Sequence, residues 1–363
     1  MKKTAFLSLP SLLLLFACHT SPRQGQQQAA TGLEYFSIGK NCWQAEPFGD
    51  KGQVALASYN GDIGVFNPQT RKTRWVYHSE SFVMDMKTAD LNGDGSAEIV
   101  LVNTGGELLC LSGSGKLHFR FTSEKPLYNV AVGNIAGDSQ LEIACGGISR
   151  HVYLLSATGE LLAKSPKVER LVHRLAMGNL DNDPLDELLV VENRTKGNIM
   201  KVQGKELQSV LRKDLDVPEE YVNWENPRGS FYPFSLEISD LDGDGTNEII
   251  GGDTFFNKQA VAVFNNALDP QWISERIPNF KWVDGAQTEF YSTAFVKTAD
   301  LFDSHPGQEI VAVAGGLLRV FSASGELLGQ QNAAVGFADF FVQSNSLLLA
   351  SSPNGDDHIY RLG

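Results

Sequence analysis

The chain predicts an all-β fold, a seven-bladed β-propeller of four-stranded blades, on three observations. An acidic nine-residue loop recurs, each copy runs straight into a β-branched apolar stretch, and the units follow one another at about 45 residues, the spacing of propeller blades. The loop reads Asp90-Leu91-Asn92-Gly93-Asp94-Gly95-Ser96-Ala97-Glu98 and again Asp240-Leu241-Asp242-Gly243-Asp244-Gly245-Thr246-Asn247-Glu248. Oxygen ligands at alternate positions, Gly at the bend and a closing carboxylate are what a hard cation such as Ca²⁺ requires. An EF-hand would need Glu at the twelfth position, where Leu101 and Gly251 stand, and helices where strands are expected.

Taken in chain order, the first element is Lys2 and Lys3 before an apolar run ending Leu15-Phe16-Ala17-Cys18. That is a secretory signal, too short to span a membrane. The small residue before Cys18 makes it resemble a bacterial lipoprotein signal; an ordinary cleaved signal is the alternative. The expected division is a lipoprotein signal peptide (1–17), a flexible tether with lipidated Cys18 (18–31) and the propeller (32–363). The tether is rich in Gln, Ser, Gly and Ala and cannot bury enough surface to fold. No Asp follows Cys18, and in such lipoproteins the resemblance implies an outer-membrane, lipid-anchored place in the cell envelope, facing the periplasm or the exterior. Removing the signal leaves 28 basic against 43 acidic residues, a formal charge of −15. Nucleic acid is thereby excluded as a partner, and membrane attachment falls to the acyl chains. Cys42, Cys110 and Cys145 are an odd set at irregular spacing, expected as small buried hydrophobes and not as disulfides or zinc ligands.

Five units align well, at 89–117, 133–162, 178–207, 239–269 and 299–328. Their second strands begin Glu98-Ile99-Val100, Glu142-Ile143-Ala144, Glu187-Leu188-Leu189, Glu248-Ile249-Ile250 and Glu309-Ile310-Val311, continuous apolar runs that mean burial on both faces. Degenerate copies flank them, one from Gln53 and one from Ser346. Alternation along the strands entering the loops puts Met86, Val130, Leu175, Leu236 and Val296 between blades. The other face gives two levels of a narrow hydrated channel. One is Lys40, Asp85, Asn129, Arg174, Ser235, Phe295 and Ala334; the next is Cys42, Lys87, Ala131, Ala176, Glu237, Lys297 and Gly336. Closure of the last blade needs an outer strand, for which residues 30–35 are the candidate.

The cation loop feeding Glu-Ile-Val or Glu-Ile-Ile resembles the FG-GAP/VCBS repeat of integrin-α-like propellers, over nearly the whole mature chain. Strand-turn segments such as Gly106-Glu107-Leu108-Leu109 and Gly325-Glu326-Leu327-Leu328 are also similar to PQQ-type repeats, a likeness that includes envelope lipoproteins scaffolding outer-membrane assembly. The first resemblance implies structural Ca²⁺ held by the side chains of Asp90, Asn92, Asp94 and Glu98, and of Asp240, Asp242, Asp244 and Glu248. Ser96 and Thr246 would each add a backbone carbonyl. A third loop, Asn179, Asp181, Asp183 and Glu187, keeps the oxygens but has Pro184 where Gly belongs. The loops before Glu142 and Glu309 have lost ligands and are expected to be metal-free turns.

Two insertions, 213–233 and 276–292, fall on connections between blades and carry Tyr221, Trp224, Phe231, Tyr232, Phe280, Trp282, Phe290 and Tyr291. Loop aromatics beside Asn, Glu and Arg suit a sugar or a protein; packing on one another as a lid is the alternative. Arg150, Arg194, Lys196 and Lys258 on the same face would attract an anionic glycan, or are ordinary solvated surface. His173 reads as a core histidine. There is no Gly-x-Ser-x-Gly elbow, His-Glu-x-x-His or phosphate loop. The expectation is a monomeric, non-catalytic propeller binding an envelope protein or polysaccharide, with a carbohydrate-active enzyme using the channel mouth, or an assembly scaffold, as alternatives.

Overall fold

The computed structural model describes residues 33–37, 42–49, 52–67, 70–137, 140–217, 230–253, 260–274, 279–283, 286–290, 294–302, 307–314, 317–332, 337–343, 346–351 and 358–362. Every regular element among them is a strand. The signal segment, the tether and Cys18 lie outside the described residues.

After β1 (Leu33–Ser37), the strands group by fours. Cys42–Phe48, Gln53–Ser58, Asp62–Asn67 and Lys72–His78 are β2 to β5; Val83–Ala89, Glu98–Asn103, Glu107–Leu111 and Leu117–Thr122 are β6 to β9. Leu127–Gly133, Glu142–Gly147, Val152–Leu155 and Leu161–Lys164 are β10 to β13; Val172–Gly178, Glu187–Glu192, Lys196–Gln203 and Glu206–Asp214 are β14 to β17. Pro233–Ser239, Glu248–Asp253, Val261–Phe264 and Pro270–Ile273 are β18 to β21, followed by a hairpin, β22 (Asn279–Val283) and β23 (Ala286–Phe290). Ala294–Ala299, Glu309–Ala314, Leu317–Phe321 and Leu327–Asn332 are β24 to β27; Phe337–Gln343, Ser346–Ser351 and His358–Leu362 are β28 to β30.

Antiparallel pairing in chain order makes each group a four-stranded blade of a β-propeller, as in β6-β7-β8-β9. The blades of β10 to β13 and β14 to β17 share one eight-stranded sheet through a single parallel pair, Lys164↔Glu206. β1 completes the sheet of β28 to β30, Leu33 opposite Leu362 and Ser37 opposite His358. The closing strand thus lies slightly later than 30–35.

The apolar runs are explained by blade-on-blade packing. Ile99 and Leu101 of β7 join Ala55, Ala57, Ile63 and Val65 of the preceding blade, while Val100 and Val102 join Val130, Ile143 and Cys145 of the next. A strand flanked by blades on both sides has no solvent face, so each successive side chain is apolar. Each such burial contributes about 1.5–3 kcal/mol. Cys42, Cys110 and Cys145 are all buried; burial pushes the Cys110 thiol up to about 12.

Innermost strands adjoin in the order β2, β6, β10, β14, β18, β24, β28 and back to β2. The register is shifted by a bulge near the start of β2, β6, β10, β14, β18 and β28, and is regular in β24. The pairing corrects the channel positions of two blades. Gln44 and Glu46, paired with Ala57 and Ala55, stand where Asp85 and Lys87 stand opposite Val102 and Val100, so Cys42 is not a channel residue of the first blade, and Lys40 lies outside the described residues. In the last blade Asp339 and Phe341 take the places expected for Ala334 and Gly336. Both end blades lack the long acidic loop, and a short turn moves the strand several residues nearer to its partner.

Candidate functional site

The loops between first and second strands are built on a shared backbone scheme. Asp90 Oδ1 accepts from Gly93 N at 2.9 Å and Oδ2 from Gly95 N at 2.7 Å; Asp240 does the same with Gly243 at 2.8 Å and Gly245 at 3.0 Å. Gly93, Gly95, Gly243 and Gly245 all have positive φ, between 75° and 89°, a region closed to most residues. The closing Glu opens its strand and turns one oxygen back into the loop. Glu98 Oε2 accepts from Leu91 N at 3.2 Å, and Glu248 Oε2 from Leu241 N at 3.0 Å. Sequence reasoning missed how general this contact is. Glu142 and Glu309, in loops that have lost ligands, make it with Ile135 N (3.0 Å) and Leu301 N (2.7 Å). The Glu therefore closes the turn in every such blade whether or not a cation is held.

In the second loop, carboxylate oxygens of Asp240, Asp242 and Asp244 lie within 4.8 Å of one another. Burial pushes the Glu98 and Glu248 carboxyls up, and the loop aspartates push the same way. Among the described residues no Lys or Arg pairs with the acids of these two loops. An all-oxygen donor set with uncompensated negative charge fits Ca²⁺. The third loop differs: Lys201 Nζ lies 2.5 Å from Asp181 Oδ2, 3.0 Å from Asp183 Oδ2 and 2.9 Å from Glu187 Oε1.

The insertions come from the opposite ends of the blades. The first has a stem, the bridge Asp216↔Ser230, with Leu215, Val217 and Phe231 buried. Phe231 was expected as an exposed ligand-binding aromatic; it is fully buried, edge-on to Phe264 at 5.5 Å. Gly251 makes the room, since a Cβ there would sit 2.6 Å from the Phe231 ring. Tyr232 is half-buried, and Tyr221, Trp224 and Tyr291 lie outside the described residues. The second insertion is the β22–β23 hairpin, an element the sequence reading left as loop. Its register sets Phe280 opposite Glu289 and Trp282 opposite Gln287.

The basic group on this face is smaller than expected. Lys196 is shared between Glu169 (3.5 Å) and Asp214 (3.6 Å), Arg150 Nε donates to Val168 O at 2.8 Å, and Lys258 lies outside the described residues. His173 sits at a bulge, not in the regular apolar row. Its Nε2 has no hydrogen-bond partner, and burial, then Arg174 and Arg194, hold its pKa well below the usual histidine range.

The channel contains two ionic groups. Arg174 stacks 3.9 Å from the Phe234 ring, donates to Asn129 Oδ1 at 3.2 Å and His173 O at 2.7 Å, and faces Asp85. Asp85 Oδ2 accepts from Val130 N at 2.9 Å, yet burial raises its carboxyl overall. One level on, Lys87 bonds Glu46 at 2.6 Å and Lys297 bonds Glu237 at 2.7 Å, with Lys297 3.9 Å from Glu46. Burial alone would raise Glu46, but Lys297 and Lys87 outweigh it and its pKa falls below the ordinary range.

Comparison with known proteins places this geometry. The model of the family described as "Lambda-carrageenase beta-propeller domain" matches residues 53–362. Lambda-carrageenases of Pseudoalteromonas sp. and Pseudoalteromonas carrageenovora are each 24% identical over 231 residues, which is 58% of this chain but 23% of each relative. The match thus spans less than a quarter of those relatives' length. Solved structures show the fold alone. BBS1N in complex with ARL6DN superposes with a TM-score of 0.64 at 10% identity, over 92% of this chain and 97% of that one. The Neurospora crassa Pan2 WD40 domain gives 0.60 at 11%, over 93% and 98%. BamB from Moraxella catarrhalis gives 0.52 at 13%, over 86% and 83%.

Proposed function

The chain belongs to the lambda-carrageenase β-propeller domain family, and on that footing we propose that it engages an acidic polysaccharide at its insertion face and channel mouth. The observation that carries this reading is the match, over 53–362, to a domain of enzymes named for a polysaccharide. Arg174 at the channel mouth and the aromatic β22–β23 hairpin support it, since an arginine fork and flat rings are the usual means of holding an anionic sugar chain. In the same reading the eight-stranded sheet counts as two blades, giving seven around the ring of innermost strands. Structural Ca²⁺ occupies the loops of Asp90 and Asp240, and Cys18 carries the lipid that anchors a monomer at the outer membrane.

The test is retention of the full-length protein on immobilised lambda-carrageenan and other acidic polysaccharides, with calcium and with chelator. Retention is expected, falling at least tenfold in W224A/W282A at unchanged stability; no retention on any of the polysaccharides sinks the proposal. Loss of folding in that variant would make these residues a lid. Partition into detergent should disappear in C18A.

A second reading, hydrolysis at the channel mouth, is favoured by one pair of groups. Asp85 is raised while the nearby Glu46 is lowered, and carboxyls driven apart in this way suit an acid and its ionised partner. It expects new reducing ends on the same polysaccharides, lost in D85N; silence across the panel removes it.

A further inference from the structure

The third acidic loop carries its own cation. Lys201 lies on β16, and its Nζ reaches carboxylate oxygens of Asp181, Asp183 and Glu187 at 2.5, 3.0 and 2.9 Å. The contacts to Asp181 and Asp183 are charge-assisted hydrogen bonds, and that to the buried Glu187 Oε1 is an ion pair. Strand register shows how unusual the position is. Leu188 pairs with Met200, as Ile99 does with Leu111, Ile143 with Leu155, Ile249 with Phe264 and Ile310 with Phe321. The residues equivalent to Lys201 are therefore Ser112, Ser156, Asn265 and Ser322. Each of these caps its own turn, Ser112 Oγ accepting from Lys116 N, Ser156 Oγ from Glu160 N, Asn265 Oδ1 from Asp269 N and Ser322 Oγ from Glu326 N.

The rest of the third loop has changed in step. Pro184 replaces the Gly whose N–H binds the first Asp in the other two loops, and proline has neither that N–H nor access to positive φ. The first ligand is correspondingly Asn179, whose Oδ1 accepts from Asn182 N at 2.8 Å and whose Nδ2 donates to Asp183 O. The closing contact is kept, Glu187 Oε2 to Leu180 N at 2.7 Å, with the other oxygen turned to Lys201.

We propose that the Lys201 ammonium is the resident cation of the third loop, a tethered charge in the place of a divalent ion, so that this blade is held without metal. A divalent ion needs oxygens at about 2.3–2.6 Å around a point the ammonium already fills, and the two like charges would repel strongly there. The inference does not depend on how many ions the first two loops take, because its test reads a difference.

Calcium bound per full-length chain is counted by equilibrium dialysis, up to 10⁻² M calcium, above the about 10⁻³ M weak limit of such modules. K201M is expected to bind one ion more than wild type and to lose it again in K201M/D181N/D183N. D181N/D183N with Lys201 intact is expected to bind the wild-type number, and it remains informative if K201M fails to fold. An unchanged count in folded K201M, or one ion fewer in D181N/D183N, overturns the proposal.

Discussion

At the scale of single residues, the channel shows how charge is kept inside a narrow ring. Lys87 and Glu46 satisfy one another at 2.6 Å with their side chains 34% and 10% exposed. Removing one partner leaves the other uncompensated. K87M is expected to cost about 2 kcal/mol, less than the roughly 3–5 of a fully dry pair because Lys87 keeps some water, with E46Q/K87M recovering most of the loss in urea titrations. The pH window follows from the two shifts. Glu46 is lowered, so its contribution is complete above the ordinary carboxylate value of about 4.3 and fades as pH falls through its lower folded value. Lys87 is raised, so its share is complete below about 10.4 and is lost as pH climbs through its higher folded value. Asp85, Lys87, Arg174 and Glu237 were legible as channel residues because the acidic loops fixed their register. Glu46 was not, because no such loop follows β2, and Phe231 looked exposed because its partners, Gly251 and Phe264, are distant in sequence.

At the scale of elements, blades are stapled through an aromatic from the outer strand of one and a glycine turn of the next. Trp75 of β5 covers Gly115 and donates its indole N–H to Gly113 O at 2.9 Å; Trp272 of β21 covers Gly325 and donates to Ala323 O at 2.9 Å. Phe119 of β9 covers Gly159 without the polar bond. A Cβ on these glycines would lie 2.4 to 2.8 Å from the ring, and their φ values, 83° to 88°, exclude most residues as well. W75A should lower stability by about 2–3 kcal/mol, short of the roughly 3–5 of a fully buried ring, while W75F should lose about 1 kcal/mol for the indole bond, both read from chemical unfolding. The glycine turns were visible in the sequence, but not the rings lying 40 to 53 residues upstream of them. The bulges were equally hidden, since a bulge exists only relative to a partner strand.

At the scale of the whole molecule, the fold class, the four-stranded blades and the loop positions could be read from the repeat itself. The β22–β23 hairpin was missed because it belongs to no repeat, and the channel positions of the end blades were misplaced because those blades lack the motif that sets register. The ring is completed by β1 on β30. A chain beginning after Ser37 leaves β30 an open edge, and its melting transition should drop by several degrees and broaden. Adding back the 33–37 peptide should restore part of the loss, whereas an unchanged transition would mean that β1 contributes nothing to closure.

That same pairing joins residues almost the full chain length apart, Leu33 with Leu362. Among the described residues it has the largest loop to close, and it cannot form until β30 has been synthesised. The ring is therefore an arc until β30 has been made and β1 has docked on it, with the sheet of β28 to β30 lacking its outer strand in the interval. Whatever captures that edge in the interval competes directly with β1, so the propeller is most open to mispairing between the synthesis of β30 and the docking of β1.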